Sequence, residues 1–176
     1  MKLYENVIIG NFLYTLGLNI GINKELPKYS SINLLQQTPA DKALGDVLLE
    51  FPGIVRLIEF KNKKSDKEKE KTRLKLLEMA LSGEDEMINI SKQIHWYIET
   101  EPNEESCFNR IVPYLDAFNS QIYGEYTIET YIKEMVEEII NPLHILNHQD
   151  VKKYLKLIQM TQGSSSTGTG GLIINI

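Results

Sequence analysis

The chain reads as an α/β protein: a small mixed sheet flanked by helices, with a C-terminal helical extension. Three observations carry this reading. Apolar residues near the start recur at helical spacing. Two apolar runs flank Pro52-Gly53, a turn signal, and so describe a hairpin. A further run at residues 93–99 is rich in aromatic and β-branched residues and reads as a strand.

Taken in order, residues 2–18 carry Leu3, Val7, Ile8, Phe12, Leu13 and Leu16 at helical spacing. Gly10 and Gly17 weaken that helix and Gly21 helps to end it. Residues 23–42, with Pro27, Ser30-Ser31 and Pro39, read as an irregular connection. The hairpin follows. If its loop is symmetric about Pro52-Gly53, facing residue numbers sum to about 105. Asp46, which starts the first strand, then lies opposite Glu59. Strand side chains alternate, so Lys61 shares the face of Glu59, together with Leu48, Val55 and Leu57. Val47, Leu49, Phe51, Arg56, Ile58 and Phe60 turn to the other face, which is mostly core. Residues 66–82 form a helix whose end is apolar at Leu74, Leu77 and Met79-Ala80-Leu81, with Gly83 as its stop.

After the strand at 93–99 the reading is helical: residues 104–121, 127–141 and 148–161. Thr127 suits the N-cap of the second of these, with Thr130 near its third position, and Asn141-Pro142 suits its end. Three regions result. Residues 1–100 form the core, and residues 101–161 a helical extension packed on the same domain. Residues 162–176 are a flexible Gly/Ser/Thr-rich segment ending in a short apolar strand, Leu172-Ile173-Ile174-Asn175-Ile176, suited to a sheet edge.

The 176 residues, 42% of them hydrophobic, suffice for one domain with a core. The apolar runs are too short to span a membrane, and the N-terminus lacks a cleavable-signal pattern. The single cysteine, Cys107, excludes an intrachain disulfide and fits an inert thiol in a reducing cytoplasm. A net charge of −5 argues against indiscriminate nucleic-acid binding, but its distribution is uneven. Residues 61–75 hold eight basic and three acidic side chains, a net of +5 against −10 for the remainder. That segment reads either as a solvated helix with pairs such as Glu70 with Lys67, or as a phosphate-tracking face built from Lys63, Lys64, Lys67 and Lys71.

Two carboxylates and an ammonium on one face of an apolar hairpin point to a bound divalent cation, because hard cations prefer oxygen ligands. The plainer alternative is a surface hairpin with a solvated cross-strand pair, worth about 0–1 kcal/mol. An acidic residue on one strand, Glu59-Phe60-Lys61 on the next and a basic helix after it resemble the PD-(D/E)xK nuclease superfamily, the restriction-endonuclease-like fold. The resemblance covers residues 1–100. That family often has Pro before its first acid. Gly45 stands there in this chain, and Pro39-Ala40-Asp41 offers Asp41 as the other choice; Asp46 is preferred because it meets Glu59 in register.

The resemblance implies a restriction-endonuclease-like core and a metal-dependent endonuclease. Asp46 and Glu59 become ligands of Mg²⁺ or Mn²⁺, Lys61 a catalytic residue, and Glu5 of the first helix a candidate further ligand, set against the plainer reading of Glu5 as a helix-start carboxylate facing the macrodipole. It also implies action on DNA, in bacterial DNA processing or antiviral defence against foreign DNA, with a protein partner or as a homo-oligomer. The alternative function is a non-cleaving, nuclease-fold binding or assembly subunit of a larger complex. The chemistry is coherent apart from the family. Phosphodiester hydrolysis needs an activated water and stabilised phosphoryl charge, which carboxylate-held metal and a lysine supply. His95 reads as a satisfied structural histidine. His144 and His148, without a cysteine or well-placed carboxylate, do not make a zinc site.

Overall fold

The computed structural model of the chain describes residues 5–22, 30–35, 46–101, 108–120, 126–142 and 146–162. Five strands, β1 (Ser31–Leu34), β2 (Val47–Phe51), β3 (Ile54–Asn62), β4 (His95–Thr100) and β5 (Phe108–Pro113), form one sheet in that order. Five helices accompany them: α1 (Glu5–Ile22), α2 (Glu68–Ala80), α3 (Asp85–Ile94), α4 (Ile128–Ile140) and α5 (His148–Gln162). β3 and β4 run parallel, joined through α2 and α3, whereas the other neighbours are antiparallel. The molecule is therefore α/β with a mixed sheet flanked by helices.

The β2–β3 hairpin turns at Pro52-Gly53. Proline presets the first turn position, and Gly53 takes φ +80°, the combination a type II turn uses. The register runs from Phe51 opposite Ile54 to Val47 opposite Ile58, so facing numbers sum to 105 as the symmetry of the loop requires. Alternation then sorts side chains onto two faces. Val47, Leu49, Ile58 and Phe60 pack against Ile8, Phe12 and Leu16 of α1 and against Tyr131, Ile132 and Met135 of α4. Leu48, Val55, Leu57 and Tyr97 pack against Leu74 and Leu77 of α2, Ile90 and Ile94 of α3, and Tyr154 and Leu155 of α5. Each such side chain contributes roughly 1.5–3 kcal/mol relative to exposure. A one-residue slip would turn the whole set over, which is why the register is firmly specified. Arg56 follows the same alternation: it is buried on the α1/α4 face and pairs with Glu138 of α4.

Local signals account for several element ends. Thr127 caps α4, its Oγ1 accepting the Thr130 N–H at 3.2 Å. Gly83 lies beyond the end of α2 with φ +83°. Asn147 Oδ1 accepts the Gln149 N–H at 2.9 Å at the start of α5.

Four expectations are corrected. The helix expected over 104–121 is absent from its described residues, 108–120: β5 and a short 3₁₀ turn at Tyr114–Asp116 lie there, because Phe108–Pro113 pairs with β4. The connection at 23–42 contains β1, whose pairing with β2 supplies the order that its own four residues lack. α3 fills the interval before the strand, which begins at His95 rather than at 93. α1 continues to Ile22 despite its glycines, since Ile20 is buried with Leu16 and Phe12. The terminal apolar pentapeptide, Cys107, His144 and Asp41 lie outside the described residues. Among the described residues no helix is long and apolar enough to cross a membrane.

Candidate functional site

Alternation along β3 sends Glu59 and Lys61 to the α2 side of the sheet, at the end where β3 and β4 leave the apolar core. Asp46 stands one residue before β2, just outside the ladder, with its N–H on the Ile58 carbonyl at 3.2 Å. It does not start the strand, as expected from the sequence, because its side chain takes the next bond itself. Asp46 Oδ2 accepts the main-chain N–H of Phe60 at 2.7 Å, so the carboxylate is fixed beside the peptide that links Glu59 to Phe60. Asp46 is 5% exposed and Glu59 4%.

Lys61 Nζ lies 2.6 Å from Glu59 Oε1 and 3.9 Å from Glu70 Oε2. Burial, then the charge of Asp46, push the Glu59 carboxyl well above the usual range, against the attraction of Lys61. Burial of the Lys61 ammonium acts the other way, but Glu59, with help from Asp46 and Glu70, outweighs it and holds the lysine above its ordinary range. Lys61 therefore stays charged at neutral pH.

Glu70 and Arg73 of α2 complete this cluster, and the sequence reading missed both. Glu70 is 3% exposed. Its Oε1 accepts the Tyr114 hydroxyl at 2.5 Å, and its Oε2 lies 3.3 Å from an Arg73 nitrogen. The available signal was spacing. Glu70 stands at i, with Leu74 at i+4 and Leu77 at i+7, so it lies on the one buried stripe of an otherwise charged helix. Tyr114 is stacked on His95, with ring centroids 4.0 Å apart and planes 4° apart. His95 Nδ1 and the Tyr154 hydroxyl are 2.9 Å apart, and Tyr154 in turn meets Ser91 at 2.7 Å. Burial lowers the His95 pKa to about 3. The neutral imidazole is thus a satisfied core group, which matches the structural reading of this residue.

On β4, Tyr97 is the direct neighbour of Glu59, and Glu99 of Lys61. Neither was singled out from the sequence, because only the parallel register brings them to the site. Glu99 pairs with Lys67. The expected Lys67–Glu70 pair does not form, since Glu70 points inward to Tyr114. Among the other basic residues, Lys63 pairs with Glu101 at 2.7 Å and Lys71 with Glu68 at 2.7 Å, while Lys64 is exposed in the turn before α2. Glu5 opens α1, and its side chain lies outside the described residues.

Asp46, Glu59 and Lys61 are thus brought together. Among the described residues no group of three or more His, Cys, Asp and Glu side chains is disposed to hold a metal ion. The donor chemistry of Asp46 and Glu59 nonetheless suits Mg²⁺ or Mn²⁺. Such ions favour carboxylate oxygen, and Mg²⁺ commonly takes only one or two protein carboxylates beside waters and substrate phosphates. No family model, curated protein or solved structure matches the chain.

Proposed function

We propose that this protein is a metal-dependent nuclease that hydrolyses phosphodiester bonds, with DNA as the substrate. The observation that carries the reading is the convergence of Asp46, Glu59 and Lys61 on one face, with Asp46 held on the Phe60 amide between the other two. The order of elements supports it: a helix, the short strand β1, a hairpin bearing the acid and the Glu-x-Lys, two helices, then a parallel strand. This is the arrangement that the resemblance to PD-(D/E)xK nucleases implies.

Asp46 and Glu59 would hold Mg²⁺ or Mn²⁺, which supplies Lewis acidity and a bound water of lowered pKa. The residues do the rest. Lys61, held protonated by its carboxylate neighbours, offers positive charge to the phosphoryl oxygens as they gain charge. Glu70 of α2, itself paired with Arg73, adds a second carboxylate 3.9 Å from the Lys61 ammonium. The exposed lysines of the turn and of α2, Lys64, Lys71 and Lys75, give the substrate backbone a basic approach beside the site.

A second reading, a non-cleaving subunit of a larger assembly, is favoured by the outer side of α1. Val7, Tyr14, Leu18 and Ile22 are exposed there, and no charged side chain lies among residues 6–22. One assay separates the two. Wild type, Asp46→Asn, Glu59→Gln and Lys61→Ala are incubated with duplex DNA, single-stranded DNA and RNA, with Mg²⁺, Mn²⁺ or EDTA. Cleavage by wild type that EDTA and each carboxylate substitution abolish, and that Lys61→Ala reduces on the order of 10²-fold or more, supports the enzyme. Cleavage that survives all three substitutions assigns the activity elsewhere, and inactive wild type favours the subunit.

A further inference from the structure

The described sheet has two outer strands, β1 and β5, and their edges differ. At β5 the side chains of Ile111 and Val112 are buried, and Pro113 brings no N–H to a further strand. The β1 edge is of another kind. The Leu35 N–H donates to the Asp46 carbonyl at 2.9 Å, so alternation turns the N–H and C=O groups of Ser31 and Asn33 towards β2. Those of Ile32 and Leu34 then point away from the sheet, and among the described residues no strand pairs there. The same two residues are 48% and 55% exposed. They stand opposite Leu49 and Val47, so their side chains lie on the α1/α4 face, at the rim of its core. Exposed edges are commonly guarded by charge or proline, and Ser31-Ile32-Asn33-Leu34 has neither.

The sequence holds a segment that fits this edge. Residues 172–176 read Leu-Ile-Ile-Asn-Ile and lie outside the described residues. Period two puts Leu172, Ile174 and Ile176 on one side of such a strand, with Ile173 and Asn175 on the other. β1 sorts in the same way, with Ile32 and Leu34 on one side and Ser31 and Asn33 on the other. We propose that residues 172–176 add to the β1 edge of their own chain as a sixth strand, with Leu172, Ile174 and Ile176 on the side of Ile32 and Leu34. The main chain supplies the bonds and the apolar side chains the match, as in other cases of strand addition. Asn175 then falls on the side of Ser31 and Asn33.

Distance permits it. α5 ends at Gln162, and the ten residue steps from there to Leu172 span up to about 33–36 Å. A domain of this length has a radius of gyration of only about 15 Å. A tether this short also gives the pentapeptide an effective concentration in the millimolar range at its own sheet, which favours it over the same segment of a second copy. The inference stands apart from the nuclease reading.

Residue-resolved amide hydrogen exchange on the full chain tests it, with Ile174→Asp as the variant. In wild type the Ile32 and Leu34 amides are expected to exchange about 10-fold or more slowly than in an unstructured chain, although β2 does not bind them. Ile174→Asp sets a carboxylate against Ile32 and Leu34, and is expected to return both amides to unprotected rates. Asn33 and Leu35, bonded to β2 and to Asp46, serve as the internal control and are expected to stay protected. Loss at all four with the β2 and β3 amides still protected also upholds the proposal, because only the added strand has been changed. Unprotected Ile32 and Leu34 amides in wild type overturn it, and so does protection that Ile174→Asp leaves intact. Protection that grows with protein concentration, alongside a dimer in sedimentation, assigns the edge to a second copy and overturns the same-chain contact.

Discussion

The main-chain N–H of Phe60 donates to Asp46 Oδ2 at 2.7 Å, so the residue proposed to bind metal also finishes the hairpin. Its carboxylate replaces the carbonyl that another ladder step would supply. Asparagine keeps an oxygen for that bond, whereas alanine leaves a buried N–H without one. Asp46→Asn is therefore expected to fold with near wild-type stability while losing cleavage. Asp46→Ala is expected to lose about 1–3 kcal/mol as well. Urea unfolding of both variants checks this; equal stability of the two would remove the structural role.

Glu59 gives the opposite sign. Its carboxyl is pushed up by burial and then by Asp46, so the folded state binds that proton more tightly than the unfolded chain does. The stabilising contribution is full below the ordinary value of 4.5 and is lost as pH rises through the raised folded value. Glu59→Gln fixes the uncharged form. The variant is expected to gain stability over wild type as pH rises from 4 towards 8, and to match it near pH 4. Urea midpoints measured across that range test this, and a gap that shrinks with rising pH would refute it.

The hairpin was legible because its signals are local. Pro52-Gly53 names the turn, and once the loop length is fixed the register follows without reference to the rest of the chain. That register also put Arg56 on the buried face, where Glu138 meets it. Thr127 was legible for the same reason, since a cap is a contact over three residues. β5 was not, because Phe108–Pro113 is a strand by virtue of β4 beside it. α3 was not read either, although Met87, Ile90, Ser91 and Ile94 stand at helical spacing and are buried. Of the site, Asp46, Glu59 and Lys61 were visible as a short-range pattern. Tyr97, Glu99 and Tyr114 enter through strand pairing and a turn far along the chain, and no local spacing marks them.

The basic segment makes a prediction that depends on which lysines are committed within the fold. Lys67 is tied to Glu99, so reversing its charge would set two carboxylates together. Lys64, Lys71 and Lys75 are exposed. Reversing these three to Glu is expected to leave the unfolding midpoint nearly unchanged and to weaken binding to duplex DNA. The slope of log affinity against log salt should fall by up to about 3, because each phosphate contact contributes about 0.9. Fluorescence anisotropy at several salt concentrations measures it. An unchanged slope would mark the segment as a solvated helix only.

His95 provides a test of the core behind the site. It is buried between the Tyr114 ring and the Tyr154 hydroxyl, and burial lowers its pKa from 6.5 to about 3. The folded state therefore prefers neutral imidazole, while the unfolded chain takes up a proton below pH 6.5. Between about pH 6.5 and about pH 3 the unfolded state binds more protons, so stability rises with pH and is lost on acidification. One group of this kind contributes at most about 1.4 kcal/mol per pH unit. His95→Phe keeps a flat ring against Tyr114 and leaves the Tyr154 hydroxyl with Ser91. Its absolute stability at pH 7 is not the readout, because the larger ring repacks the site. The readout is the slope of unfolding free energy against pH. Carboxylates contribute to that slope in both proteins and cancel in the difference, which leaves the imidazole alone. Wild type is expected to lose stability more steeply than His95→Phe between pH 6 and pH 4. Parallel slopes would mean that His95 is protonated in the folded protein at those pH values, and would require an acceptor for its second N–H within the core.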